Sequence, residues 1–356
     1  MKRFLTSIIL SFIILSAKAQ SPDTINIIFI GDVMAHGLQL RTALKPGCDS
    51  LLSDSYDFST YFKYIKPKFI NANLVVANME FPSGVTPYSG YPRFSAPNSL
   101  AEEVMKNGVD LFLTANNHIC DKGKQGLDST YSLYNRMGIP YTGFYASEKE
   151  EIENNPLIVN VSGIKVAFIN FTYSMNGYSV PEPYKVNFMD TIHIKKVIKR
   201  AIEREADIII ATPHWGEEYH LDISENQLWW ENFLYDCGVR VIIGTHPHVV
   251  QKVKYYGNRV TAFSLGNYIS NMSITNGQIG MLFNLKLIKD KNGSINILKP
   301  DFEYLWCARG GKFEKNYTVI PIKAALNRKK DFVSTEEYQK MKREWSAIKL
   351  KFNIND

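Results

Sequence analysis

An α/β fold built on a sheet buried on both faces is predicted by three observations. Apolar runs of strand length alternate with helical stretches from Ile25 onward. The runs are almost continuously apolar, and polar residues recur where they end. In order, "INIIFIGD" reads as a strand, "FSTYFKYIKPKFINA" as a helix and "NLVVANME" as the next strand. "SLAEEVMKNG" has helical spacing with Gly108 as its stop, and "VDLFLTANN" follows as a strand. Lys124 to Met137 reads as a helix closed by Gly138. "KVAFINFTY" is a strand, "TIHIKKVIKRAIEREA" a helix and "DIIIATPHWG" a strand. "NQLWWENFLYDCG" is a helix, with Trp229 and Trp230 as packing residues on its face, and "VRVIIGTHPH" and "VTAFSLGNYI" are two further strands. After Ser270 the pattern turns strand-rich, and a mixed-charge helix from Ser334 to Lys351 closes the chain.

The N-terminus "MKRFLTSIILSFIILSAKAQ" has a charged start at Lys2 and Arg3, an apolar core from Phe4 to Leu15 and an Ala17-Lys18-Ala19 cleavage pattern. Residues 1–19 are therefore expected to be a cleaved signal peptide, with the mature protein exported to the periplasm or cell surface. The chain has 356 residues, 45% hydrophobic and 21% charged, which is a globular balance. Its formal charge of +6 falls to about +3 without Lys2, Arg3 and Lys18, and no basic block stands out. Nucleic acid is not an expected partner. The four cysteines, Cys48, Cys120, Cys237 and Cys307, form no C-x-x-C pair, and their pairing in an exported chain stays open. One domain over residues 25–275, completed by a β-rich extension over 276–356 with a terminal helix, is the expected organisation.

Five strand ends carry residues able to do chemistry. They are Asp32 after "FIG", Glu80 in "VVANMEF", Asn116, Asn117, His118 and Asp121 in "TANNHICDKG", His214 in "ATPHWGEEY", and His246 and His248 in "IGTHPHV". Taken singly, an aspartate after a strand is a turn former and an Asn-Asn-His a helix cap. In extended backbone, residues two apart point the same way, so His246 and His248 are expected to face one small site. Carboxylate, amide and imidazole ligands together suit borderline divalent ions, Mn, Zn or Fe, one or two in number. Two ions about 3.5–4 Å apart would activate a water and neutralise charge on attacking and leaving oxygens. Glu218 and Tyr219 are candidates for orienting His214, and Asn267 in "SLGNY" for contacting the site or capping its strand.

The ordered set "GDVM", "NME", "ANNHICDKGKQG", "HWGEEY", "GTHPHVVQ" and "SLGNY" resembles the capsule synthesis protein CapA family, also called the poly-γ-glutamate capsule synthesis family. That family is similar to the calcineurin-like metallophosphoesterases. The resemblance implies a four-layer fold of two packed β-sheets flanked by helices. It implies Asp32, Glu80, Asn117, His214, His246 and His248 as metal ligands, with Glu80 bridging, His214 and His246 on one ion and His248 on the other. His118 would protonate the leaving oxygen. Asn116, Asp121, Glu218, Tyr219 and Asn267 would touch substrate or support the ligands. The implied substrate is a phosphoester or an anionic polymer, with membrane-bound capsule synthesis proteins as partners. Two departures stand out: Met34 occupies the place of the histidine in the phosphoesterase D-x-H pattern, with His36 two residues on, and Asn78-Met79-Glu80 replaces a Gly-Asp-x-x-Asp. These departures keep open a non-catalytic role in binding or handing on a polymer during capsule assembly.

Overall fold

The computed structural model describes residues 23–311 and 313–354, so the expected signal peptide lies outside the described residues. β1 (Asp23–Val33) runs through the middle of the first sheet. Its side chains alternate: Ile25, Ile27 and Phe29 join the core between the two sheets, while Ile28 and Ile30 join a second core on the outer face. β2 (Leu74–Met79), β3 (Leu111–Leu113) and β4 (Tyr141–Thr142) follow in parallel. β5 (Phe144–Tyr145) opens a two-stranded ribbon. β6 (Leu157–Val161) and β7 (Ile164–Thr172) start the second sheet, and β8 (Lys185–Val186) completes the ribbon with β5. β9 (Ile208–His214), β10 (Val241–Ile243), β11 (Val253–Tyr255) and β12 (Val260–Ala262) complete the second sheet, in the order β11-β12-β10-β9-β7-β6. β13 (Asn267–Ile269), β14 (Ile279–Lys289), β15 (Ile295–Ile297), β16 (Asp301–Ala308) and β17 (Thr318–Pro321) return to the first sheet, where β14 lies antiparallel against β1.

Helices cover both outer faces. α1 (Gly37–Ala43), α2 (Lys66–Phe69), α3 (Asn98–Lys106) and α4 (Gly123–Met137) lie on the first sheet, where Leu100, Val104, Leu127 and Leu133 pack with Ile28, Val75 and Ala77. α5 (Glu148–Asn154) precedes β6, and α6 (Thr191–Glu203) and α7 (Glu225–Asp236) cover the second sheet through Ile194, Val197, Trp230 and Leu234. α8 (Ile322–Ala325) and α9 (Thr335–Phe352) end the chain, with Met341, Trp345 and Ile348 packed among Trp306 and Ile320. The result is two packed sheets flanked by helices, as the sequence predicts. Each fully buried Ile or Phe of these cores contributes about 1.5–3 kcal/mol. Trp230 does pack, at 7% exposure, but its neighbour Trp229 is 54% exposed, stacked on Phe233 and edge-on to Trp230.

Asn170 of β7 pins the sheets together beside the strand ends. Its Oδ1 accepts from the Thr114 and Ala115 amides (2.9 and 2.7 Å), and its Nδ2 donates to Thr212 O at 2.6 Å. All three bonds are buried; the Thr114 amide also donates to Thr142 O at 3.0 Å, so the Ala115 amide is the group that loss of Asn170 would strand.

The structure departs from the sequence reading in three places. The expected helix from Phe58 is a run of turns until α2, because Pro67 lacks a donor and suits only the first turn of a helix. "VTAFSLGNYI" is two strands in two sheets: Gly266, at φ 64°, turns the chain out of β12 and into β13 beside β1. "VRVIIGTHPH" leaves strand geometry after Ile243, and His246 and His248 have φ of 99° and 57°. They are therefore not alternate residues of an extended strand, as expected. All four cysteines are free, and Cys120 is fully buried.

Gly31 fixes how closely β13 approaches β1. A Cβ there would stand 1.9 Å from Gly266 O, and the next amide, Asp32 N, donates to that same oxygen at 3.0 Å. Gly31→Ala is expected to destabilise the protein by about 1–3 kcal/mol or more, read as a lower urea midpoint. An unchanged midpoint would show that β13 tolerates a wider spacing.

Candidate metal centre

Asp32 ends β1 and Glu80 follows β2, so parallel neighbours deliver two carboxylates to one sheet edge. Both are fully buried. Asn78 sits between them: its Nδ2 donates to Asp32 Oδ1 at 2.7 Å and lies 3.5 Å from Glu80 Oε2. Burial, then the Asp32 charge, then Glu218, push the Glu80 carboxyl well above its ordinary range.

The second sheet supplies imidazoles. His214 ends β9, and its Nδ1 pairs with Thr245 Oγ1 at 2.9 Å, which turns Nε2 toward Asn117 Oδ1 (2.9 Å) and Glu80 Oε1 (3.6 Å). Asn117 is itself oriented, because its Nδ2 donates to Asn176 Oδ1 at 3.2 Å. His248 places Nδ1 against Asn267 Oδ1 (3.0 Å) and Asp32 Oδ2 (3.3 Å), and its Nε2 lies 3.6 Å from Glu80 Oε1. His246 packs between Tyr173 and His214, with ring centroids 4.5 and 4.7 Å away. Burial foremost, then the neighbouring imidazoles, holds the pKa values of His214 and His246 well below the ordinary value.

These residues fit a divalent cation. Glu80 Oε1 and His246 Nδ1 are buried with no hydrogen-bond partner in the protein. The 3.6 Å between Glu80 Oε1 and each of two imidazole nitrogens is too long for a hydrogen bond. It suits two donors on one ion, each bonded at about 2.0–2.2 Å. Two groups of three ligand atoms meet this requirement, Glu80 with His246 and His248, and Asp32 with Glu80 and His214. Glu80 is common to both. These candidate groups place His246 with His248, whereas the expected division placed it with His214, whose ring lies 4.7 Å from that of His246. The reason is the left-handed turn at both residues, which folds the two imidazoles back toward Glu80.

His118 stands beside this cluster. Its Nδ1 meets Asp121 Oδ2 at 2.8 Å, and the Phe94 amide donates to the same oxygen at 2.7 Å. Asn116 bridges inward, donating to Met79 O at 2.8 Å and accepting from the His118 amide at 3.2 Å. Asn267 also donates to Gly277 O at 2.9 Å, so it fixes His248 and its own loop together. Tyr219 lies against His248 (6.2 Å between centroids) and not against His214, whose second nitrogen is held by Thr245; no Glu218 contact with His214 is found among the described residues. Met34 is buried in the apolar core of the first sheet. His36 is held by Gln39 Oε1 (3.2 Å) and the Asn271 amide (3.3 Å). Asn78, Thr245, Tyr173 and Asn176 take part without having been selected from the sequence. The only signal for Asn78 was its place between Asp32's strand and Glu80.

Two stacked sheets flanked by helices, with carboxylates, amides and imidazoles gathered where their strands end, define an α/β protein with a candidate metal centre at one sheet edge. Within that class the chain belongs to the bacterial capsule synthesis protein PGA_cap family, whose pattern matches residues 26–272. It is 26% identical over 296 residues to "PGA biosynthesis protein CapA" of Bacillus subtilis (strain 168), covering 80% of this chain and 73% of that one. It is 24% identical over 269 residues to "Capsule biosynthesis protein CapA" of Bacillus anthracis, covering 72% of this chain but only 62% of that protein's length. Among solved structures it is similar to the NAD nucleotidase NadN of Haemophilus influenzae, with TM-score 0.49, 13% identity and coverage of 92% and 63% of the two chains. It is also similar to the calcineurin-like phosphoesterase YfkN of Bacillus subtilis, with TM-score 0.47, 16% identity and coverage of 80% and 91%. Both structural likenesses are distant, and the architecture stands on the strand order itself. No helix among the described residues is long and apolar enough to cross a membrane.

Burial also lowers the His36 pKa from 6.5 to about 4, against the raising effect of its Gln39 hydrogen bond. A lowered imidazole pKa means that the unfolded chain binds more protons than the folded one below pH 6.5, so stability falls as pH falls toward 4. His214 and His246 act in the same direction. His36→Asn is expected to flatten this dependence by up to about 1.4 kcal/mol per pH unit, read from urea midpoints of metal-free protein between pH 7.5 and 4.5. Parallel curves for the two proteins would contradict it.

Proposed function

We propose that this protein is an exported member of the family that hydrolyses a phosphoester, or a bond within an anionic polymer, at a divalent-metal centre. The observation that carries the reading is Glu80 Oε1, unpartnered in the interior and equidistant, at 3.6 Å, from His214 Nε2 and His248 Nε2. Asp32, Glu80, Asn117, His214, His246 and His248 would hold one or two ions, of Mn, Zn or Fe chemistry. A bound ion supplies Lewis acidity toward water and toward the oxygen on which charge develops.

The protein's own groups do the rest. Asp121 holds His118 by Nδ1, which leaves Nε2 as the nitrogen that gives a proton to the departing atom. The same carboxylate stabilises the imidazolium that this role requires. Thr245 and Asn267 fix the outward nitrogens of His214 and His248, so their Nε2 atoms stay aimed at Glu80. The relatives' names, "PGA biosynthesis" and "Capsule biosynthesis", support an anionic polymer over a small metabolite. Membrane-bound capsule synthesis proteins are the expected partners. Export rests on the N-terminal pattern of residues 1–19 and is read by the intact mass of the mature chain.

Met34 and Asn78 favour a second reading, a component that binds or hands on polymer without cleaving it. Met34 offers the site no ligand atom of the expected kind, and an amide stands between the two carboxylates.

In assays of residues 20–356 with Mn, Zn or Fe on phosphoesters and polyglutamate, His118→Asn is expected to lower kcat by about 10²–10⁴. Asp121→Asn is expected to lower it less and to shift the pH profile. Absence of turnover with every ion, together with polymer binding that survives His118→Asn, would favour the second reading.

A further inference from the structure

A hairpin tip reaches over the mouth of the cluster. Ser89 and Ser95 exchange backbone hydrogen bonds of 3.0 and 2.8 Å, and Ser89 Oγ donates to Arg93 O at 2.6 Å. Gly90 lets the hairpin lie on the chain beside His36, since a Cβ there would stand 2.2 Å from Gly37 N. From this hairpin Phe94 sets its ring edge-on to His118 (4.7 Å between centroids) and to His36 (5.2 Å). One residue earlier, Arg93 donates Nε to Asp121 O at 3.0 Å, and its guanidinium carbon lies 5.5 Å from the Tyr178 ring.

Arg93 is exposed and Lys122, next to Asp121, is half-buried. Neither forms an ion pair among the described residues. Asp121, beside them, meets His118 and the Phe94 amide through Oδ2, and its Oδ1 is buried without a hydrogen-bond partner. Burial first, then the Arg93 charge, lowers the Lys122 pKa. Across the mouth lie Tyr219, against His248, and Glu218, whose charge reaches Glu80. The mouth is therefore polarised, with two unpaired cations on the His118 side and a carboxylate on the His248 side.

We propose that Arg93, supported by Lys122, binds a second anionic group carried by the leaving portion of the substrate. The assignment rests on His118 being the proton donor, because the departing fragment would then lie against the loop whose Asp121 holds His118 by its carboxylate and Arg93 by its backbone oxygen. Water adds to phosphorus or carbonyl carbon, and the bond to the leaving oxygen or nitrogen breaks with its electron pair. The leaving atom then takes the proton from His118 Nε2, while the attacking water gives up its proton to solvent and His118 is reprotonated from solvent. A carboxylate or phosphate a few bonds farther along the departing fragment meets the Arg93 Nη groups, which can grip it with two parallel hydrogen bonds. The substrate class is a diester or polymer bond flanked by a second negative charge.

The test compares 4-nitrophenyl phosphate with 3-carboxy-4-nitrophenyl phosphate, which share the phosphoryl group and differ by a carboxylate on the leaving phenol. Arg93→Met is expected to lower kcat/KM for the carboxylated ester relative to the plain one by about tenfold compared with wild type, and Arg93→Lys to restore only part of the ratio. A loss equal for both esters would mean a merely structural role and would overturn the proposal. Calorimetric binding of tri-γ-glutamate to the full chain is a readout independent of turnover, and should weaken about tenfold in Arg93→Met and further in high salt. Unchanged binding overturns the subsite. If wild type cleaves neither ester, hydrolysis of phosphomonoesters fails while the binding measurement still decides the subsite.

Discussion

Two carboxylates, Asp32 and Glu80, are buried side by side, and much of the structure follows from that. Like charges in a dry interior repel and resist ionisation, so their proximity needs either a shared proton or a cation. Asn78 partly answers the need with one amide donor, which is satisfied best at Asp32. Glu80 Oε1 gets no donor. Around it stand imidazoles whose surroundings keep them neutral, which makes them electron-pair donors and not counter-ions. Such a group is electrostatically incomplete, and a divalent ion would complete it.

The fold is arranged to deliver and hold these donors. Parallel pairing of β1 with β2 brings the carboxylates together, and stacking of the second sheet brings His214 opposite. Asn170 ties the sheets at that edge, and Gly31 lets β13 lie close enough for Asn267 to hold His248. The same edge places His118 and its Asp121 partner within one loop, beside the hairpin that carries Phe94 and Arg93. The candidate ligands, the His118–Asp121 pair and the hairpin thus come from separate loops on one sheet edge, the usual position for ligand sites in α/β proteins.

Much of this arrangement was legible because apolar strands leave polar residues conspicuous where they end. Asp32, Glu80 and His214 stand out for that reason, and the structure brings them together. His246 and His248 were conspicuous as a pair, but the argument from extended backbone was wrong; left-handed backbone turns them inward instead. Asn78 was hard to weigh because an asparagine inside an apolar run carries no periodic signal of its partner. Thr245, Tyr173 and Asn176 act through contacts between distant segments, which no local pattern encodes. Asp121 was conspicuous beside His118 in sequence, and the 2.8 Å contact shows which side chain it holds. "VTAFSLGNYI" looked like one strand because apolar content does not say which sheet a residue joins; Gly266 decided it.

The central claim is that the buried cluster is a two-position cation site sharing Glu80. Equilibrium dialysis of residues 20–356 against Mn or Zn, followed by elemental analysis, tests it most directly. The account predicts a stoichiometry approaching two ions per chain, lost at both positions in Glu80→Gln because each triad uses that carboxylate. A stoichiometry near zero in the wild type, or one unchanged in Glu80→Gln, would contradict it.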